Sequence, residues 1–356
     1  MSNSIPVKNL YYLLSYAWSE RLDTQDIENA MVDECDNLSE FFAHVLTQRL
    51  QPLLRRGLDR SYLRQSELTS QPKGRIDFTA SVKNQTWQQA QMHCTYDELS
   101  PDILLNQVIK TTLALLYHHT KQKKKLRVKL HEQLNHFQQV SRAHITARTF
   151  KRIQLHRNNR KYSFILNLCE LIHDSLLPDH DSKGNRKFKR LEANEGAMPA
   201  IFEQFVYAFA KRQLDNIKLP AKRIYWQADY QSESTEDLMP TMNTDLTIEW
   251  TDSDRKLILD CKYYKKAFTS QTFGDKKYTR FKTENLYQVF AYLINKRETP
   301  GWKNVEGMLL YPTTTEDFHE QITFLNQHRM QICSVNLNQD WQAIKRELIC
   351  ILTEER

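Results

Sequence analysis

The chain has 356 residues, 40% of them apolar and 26% charged, with a formal net charge of +7. That length and balance describe a globular protein with room for two cores and exclude a disordered or fibrous chain. No run of 18 apolar residues occurs, so no membrane span is expected, and the start MSNSIPVKNLYYLL lacks the features of a signal peptide.

IPVKNLYYLLSYAW (5–18) has helical spacing after a proline start. Residues 37–56 predict a helix capped by Asn37 or Ser39, with Leu38, Phe41, Phe42, Val45, Leu46, Leu50, Leu53 and Leu54 as its buried stripe. QPKGRIDF (71–78) reads as a turn entering a short strand. Residues 100–119 predict a helix with Ser100 as cap and Pro101 at its first position. Residues 121–160 carry 12 Lys or Arg against one acid, Glu132. Such a segment is either a solvated helix end and loop or a surface for phosphates or an acidic protein. His131 and His136, five apart, miss the four-residue spacing of a zinc-binding helix and read as surface residues. An amphipathic helix is expected at 161–177, and PDHDSKGNRKFKR (178–190) is the clearest loop. These features divide the chain into an N-terminal domain (1–160), a helix and linker (161–198) and a second domain (199–356).

The second domain starts with a helix at 199–214, followed by strands at 222–230, 243–250 and 256–263. A helix at 283–296, strands at 305–312 and 331–337 and a C-terminal helix with Trp341, Ile344, Leu348 and Leu352 on one side complete an α/β pattern around one sheet. None of the seven glycines forms G-x-x-x-x-G-K-[ST] or G-x-G-x-x-G, so any nucleotide hydrolysis is expected from another protein. The six cysteines include no C-x-x-C pair, which argues against a zinc site or disulfide scaffold and fits a reducing cytoplasm.

Chemistry concentrates in TDLTIEWTDSDRKLILDCKYY, which reads as strand, turn, strand. If the hairpin turns near Asp252 and Ser253, paired residue numbers sum to about 505, and Asp245 lies opposite Asp260 on one face. Lys262, two residues beyond Asp260, shares that face, while Leu246, Ile248, Trp250, Leu257, Leu259 and Cys261 point into a core. Facing carboxylates repel unless a cation lies between them, and an oxygen-only, half-open site suits Mg²⁺. Two acids and a lysine so arranged match a metal-dependent phosphodiesterase, with the lysine orienting water or neutralising charge on phosphorus. The Cys261 backbone carbonyl is a further candidate ligand. Glu203, on the flank of its helix, either reaches the metal through a water or is simply exposed. On the following helix Leu286, Val289, Phe290 and Leu293 form the buried stripe, while Gln288 and Tyr292 are expected on the opposite side, which is either plain surface or DNA-facing. The intervening loop offers Lys265, Lys266, Lys276, Lys277, Arg280 and Lys282 among aromatics, a composition that suits DNA contact.

The run TD…LDCKYY followed by Q-x-x-x-Y resembles the RecB-like form of the PD-(D/E)xK nucleases, with Thr244 in the place of the proline. Over nearly its full length, through IPVKNLYYLLSYAW, KGRIDF, YDELSPDILLNQVIKTTLALL, RKYSFILNLCELI, LILDCKYY, NLYQVFAYL and SVNLNQDW, the chain resembles the McrC family of modified-cytosine restriction systems. The resemblance implies a mixed α/β domain that docks on McrB, a hexameric AAA+ GTPase. It also implies a PD-(D/E)xK domain with a central mixed sheet flanked by helices, catalytic residues Asp245, Asp260 and Lys262, and Mg²⁺ dependence. GTP and recognition of modified cytosine in double-stranded DNA would belong to the partner. The 121–160 segment would then meet either DNA or the GTPase ring. Two other readings stand beside this one, namely a non-catalytic activator of the GTPase and a stand-alone RecB-like repair nuclease.

Overall fold

The computed structural model describes residues 5–18, 38–120, 123–176, 178–180, 186–188, 197–230, 232–263, 268–273, 276–315, 317–325 and 328–354. They form two compact units, one spanning Glu34–Phe188 and the other joining Met1–Asp33 to Lys189–Arg356. The first helix, α1 (Val7–Trp18), therefore belongs with the C-terminal unit and not with the expected 1–160 domain. Its aromatic residues explain why. Tyr12 stacks on Trp341 with ring centroids 4.3 Å apart, and Tyr16 lies among Phe205, Phe209 and Trp341. Asn9, buried, donates to the Leu337 and Gln339 carbonyls at 2.8 and 2.7 Å.

The N-terminal unit begins with α2 (Leu38–Leu54), then β1 (Ser61–Thr69), β2 (Arg75–Ile76), α3 (Phe78–Lys83) and β3 (Met92–Ser100). Next come α4 (Leu104–His119), α5 (Lys124–Asn135), α6 (Ala147–Lys151) and α7 (Ser163–Leu176), with β4 (Pro178–His180) and β5 (Arg186–Phe188) after them. Its core is helical. Phe41, Phe42, Val45, Leu46 and Leu50 of α2 are buried together with Val108, Ile109 and Leu113 of α4, Leu130 of α5, and Ile165, Leu168 and Ile172 of α7. Helix α7, expected as a helix of the 161–198 segment between the two domains, is thus part of this core. β1, β3 and β2 form an antiparallel sheet in that order. Gly74 turns the chain into β2 with φ +62°, where a Cβ would stand 2.5 Å from the Thr95 carbonyl oxygen, so only glycine fits. Ser100 pairs with Ser61 at the end of β3 and does not cap α4, whose N-cap is Ile103. Its hydroxyl accepts from the Asp102 N–H at 3.1 Å, serving the connection between strand and helix.

In the C-terminal unit α8 (Ala197–Gln213) precedes β6 (Ile217–Lys218), β7 (Arg223–Ile224), α9 (Glu233–Leu238) and β8 (Met242–Asn243). Then come β9 (Leu246–Trp250), β10 (Lys256–Cys261), β11 (Phe268–Phe273), β12 (Lys276–Phe281) and α10 (Thr283–Arg297). β13 (Glu306–Thr313), β14 (His319–Thr323), β15 (Arg329–Asn336) and α11 (Trp341–Thr353) complete it. Six strands form a mixed sheet in the order β14-β15-β13-β10-β9-β6, parallel at β10–β13 and β13–β15 and antiparallel elsewhere. Parallel strands are covered on both faces, and β10 is buried almost throughout. Helix α10 covers one face, with Val289 and Leu293 buried beside Ile258, Leu309 and Ile332. It approaches so closely that a Cβ on Gly307 of β13 would stand 2.7 Å from Val289 Cγ1. The segment expected as a loop after residue 263 contains the β11–β12 hairpin, whose ladder runs from Phe268↔Phe281 to Phe273↔Lys276.

Candidate active site

The β9–β10 ladder pairs Lys256 with Glu249, Leu257 with Ile248 and Leu259 with Leu246. Every pair sums to 505, the expected register, so one further step sets Asp245 opposite Asp260 where the two strands end. Leu246, Ile248, Leu257, Leu259 and Cys261 are buried as expected. Trp250 is only partly buried, with the Arg255 guanidinium 4.4 Å from its ring centroid.

Here the two acids meet very different partners. Asp245 Oδ2 accepts the Cys261 backbone N–H at 2.6 Å. Asp260 is 2% exposed, and its Oδ2 lies 2.6 Å from Lys262 Nζ. Lys262 Nζ also donates to Gln288 Oε1 at 2.7 Å, Gln288 Nε2 donates to the Tyr292 hydroxyl at 2.7 Å, and that hydroxyl donates to the Asn243 carbonyl at 2.9 Å. The relay ties α10 to the lysine and to the backbone just before Asp245. Gln288 and Tyr292, expected on the side opposite the buried stripe, therefore turn inward. Tyr292 is 4% exposed, and its ring can be buried because protein groups satisfy its hydroxyl.

Burial, then the charge of Asp260, pushes the Asp245 carboxyl up from 3.8 to about 7, against the lowering effect of the Cys261 N–H. Burial likewise raises Asp260, opposed by Lys262. Glu203 on α8 is raised by burial and then by the negative charge of Asp260, so it is a third carboxylate within electrostatic reach of the pair. Burial and the surrounding acids push the Cys261 thiol well above its usual value, so it has no thiolate character at neutral pH.

Among the described residues, no group of three or more His, Cys, Asp or Glu side chains is arranged to hold a metal ion. Two carboxylates are nevertheless a sufficient protein share for Mg²⁺, which keeps several waters and takes one or two such ligands. The donors are hard oxygens, and burial disfavours the charged form of both acids, with the Asp260 charge adding to it at Asp245, a cost that a bound dication would offset. The residues fit that ion.

Of the expected basic contacts, Lys265 and Lys266 lie outside the described residues. The same holds for the side chains of Lys276 and Lys277, although their backbone lies in β12. Arg280 is exposed at the end of that strand, and Lys282 occupies the N-cap position of α10. Two neighbours of the site escaped sequence reasoning. Asn243 receives the tyrosine hydroxyl, and Lys222 accepts through its carbonyl the Thr244 N–H at 2.9 Å. No spacing rule links residues 222 and 244 before the β7–β8 pairing is known.

Residues 2–312 match the family described as "McrBC 5-methylcytosine restriction system component". The chain is 32% identical over 352 residues to an Escherichia coli (strain K12) protein described as "Type IV methyl-directed restriction enzyme EcoKMcrBC", covering 98% of both. Its fold resembles a chain in a Thermococcus gammatolerans structure described as a half-complex from a tetradecameric assembly of McrB AAA+ hexamers with bound McrC. That likeness has a TM-score of 0.53 at 16% identity and covers 98% of this chain and 76% of the other.

Proposed function

The chain belongs to the McrBC family of 5-methylcytosine restriction system components, and on that premise we propose that it is the PD-(D/E)xK endonuclease subunit of a GTP-dependent, type IV restriction complex acting in the cytoplasm. One observation carries this reading: Asp245, Asp260 and Lys262 converge at the end of two paired strands, with the lysine 2.6 Å from one of two raised carboxylates. Asp245, Asp260 and the Cys261 carbonyl would hold Mg²⁺, with Glu203 as a further acid. Bound there, the ion would supply Lewis-acid stabilisation of the phosphorane and an activated water.

The protein's own groups have separate tasks. The Cys261 N–H fixes the Asp245 carboxylate. Lys262, aimed by Gln288 and Tyr292, presents its ammonium to the phosphodiester oxygens as negative charge builds on them. Arg280 and Lys282, with Lys265, Lys266, Lys276 and Lys277 of the same segment, hold the DNA backbone. The N-terminal unit docks on a hexameric McrB-like AAA+ GTPase. Its support is a set of exposed apolar side chains, Tyr62, Phe78, Val82, Trp87 and Leu99, of the kind that marks a partner surface. The partner would bind GTP and read the modified cytosine.

Asp260→Ala tests the site. DNA cleavage by the complex should fall at least about 100-fold, while stimulation of the partner's GTPase persists. Unchanged cleavage would overturn the site assignment. Loss of both activities from a folded variant would indicate that the two functions are not divided between the units.

A further inference from the structure

Lys222 stands outside the Asp245–Asp260–Lys262 set, yet the fold holds it beside that set from two directions. The first is backbone. β7 pairs with β8 through Arg223↔Asn243 and Ile224↔Met242, and one further step brings Lys222 opposite Thr244. The Thr244 N–H and hydroxyl both donate to the Lys222 carbonyl, at 2.9 and 3.2 Å. A proline at position 244 would have no N–H for this tether. The residue immediately before Asp245 is therefore stitched to Lys222.

The second direction is the side chain. Lys222 Nζ lies 4.9 Å from the centroid of the Tyr207 ring, within the range of a cation–π contact. Tyr207 is one helical turn beyond Glu203 on α8, and residues four apart share a helix face. The ammonium is thus parked on the same face as the third carboxylate. Its charge acts there, favouring ionisation of Glu203 and, further in, of Cys261. Lys222 is nevertheless solvent-exposed, so it stands at the rim of the acidic centre, where an incoming polyanion would meet it.

From this geometry we infer that Lys222 is a phosphate-binding residue of the site: it takes a DNA backbone phosphodiester beside the scissile one. Tyr207 pre-positions the ammonium, and the Thr244 tether fixes its distance from Asp245. A lysine cannot fork onto two phosphate oxygens as arginine does, so it serves as a movable point charge. Its charge also offsets three acids that would otherwise repel the DNA strand. The inference rests on the nuclease reading above.

The test compares Lys222→Met, Lys222→Arg and Tyr207→Leu with wild type and Asp260→Ala in the full chain with its GTPase partner. Cleavage of modified duplex DNA is followed over a salt series. Lys222→Met should raise KM for DNA about tenfold and leave kcat within about twofold. The slope of log kcat/KM against log salt should become shallower by about 0.9, the loss of one phosphate contact on a duplex. Lys222→Arg should retain the wild-type slope, and Tyr207→Leu should raise KM in the same direction by a smaller factor. A lower kcat with unchanged KM and slope would overturn the inference, reducing Lys222 to a counter-charge for Glu203. The nuclease reading would survive that result. Full cleavage by Asp260→Ala would instead overturn the nuclease reading, and this inference with it.

Discussion

Asp245 and Tyr292 show what a single side chain owes to its surroundings. A half-buried acid whose carboxyl is raised from 3.8 to about 7 favours its neutral form in the folded state. Below about pH 4 both folded and unfolded forms are protonated, and the shift costs nothing. Between about pH 4 and 7 the unfolded chain has released its proton while the folded state still holds it, so stability falls by up to about 1.4 kcal/mol per pH unit, and above about pH 7 the loss levels off. In chelator, Asp245→Asn should therefore unfold at higher urea than wild type at pH 8, with the advantage vanishing near pH 4. Mg²⁺ should stabilise wild type much more than this variant. Tyr292→Phe removes the donor to the Asn243 carbonyl and the acceptor of Gln288. It should cost about 1 kcal/mol in urea unfolding and reduce cleavage about tenfold with DNA affinity unchanged, because Lys262 loses its support. The carboxylates and lysine were legible in the sequence because strand periodicity and hairpin arithmetic are local. The inward turn of Tyr292 was not, since a tyrosine reads equally as surface or core until its hydroxyl finds a partner.

At the scale of elements, close packing of α10 on the sheet holds the relay in place. Gly307 lets that helix approach, and the added Cβ would press on Val289, a β-branched helical residue with little rotamer freedom. Gly307→Ala should cost about 1–3 kcal/mol, measured by denaturant midpoint, and should loosen the Lys262–Gln288 contact. Long periodic segments such as α2, α8, α10 and α11 were visible from their apolar stripes. β1, β3 and the β11–β12 hairpin were not. β1 is exposed along most of its length, and in β3 only Cys94 is buried, so alternation gives no buried face to detect. In SYLRQSELT and MHCTYDELS the strands are held by pairing with each other, which composition does not reveal. For β11–β12 the Gly274–Asp275 dipeptide between two six-residue runs was a usable hairpin signal. The density of lysine and arginine around it reads more readily as loop.

In the whole molecule, the division into units does not follow chain order. α1 lies at the N-terminus, but its Tyr12 and Tyr16 complete an aromatic cluster with Phe205, Phe209 and Trp341 of the C-terminal unit. Expressed alone, residues 189–356 should expose that cluster and aggregate or melt well below the full chain in calorimetry. Residues 34–188 should fold independently. Supplying residues 1–33 in trans should raise the melting temperature of the C-terminal piece. If it folds equally well without them, α1 is an accessory and not part of that core. By itself the sequence determined the family, the hairpin register and the three residues of the candidate centre, because these depend on contacts close in sequence and on a pattern of residue types. Tertiary structure alone decided where α1 belongs, that Gln288 and Tyr292 serve the lysine, and that Lys222 stands beside Asp245. Each of these depends on side chains from distant segments competing for the same buried surface or hydrogen-bonding group, and one-dimensional spacing carries no record of that competition.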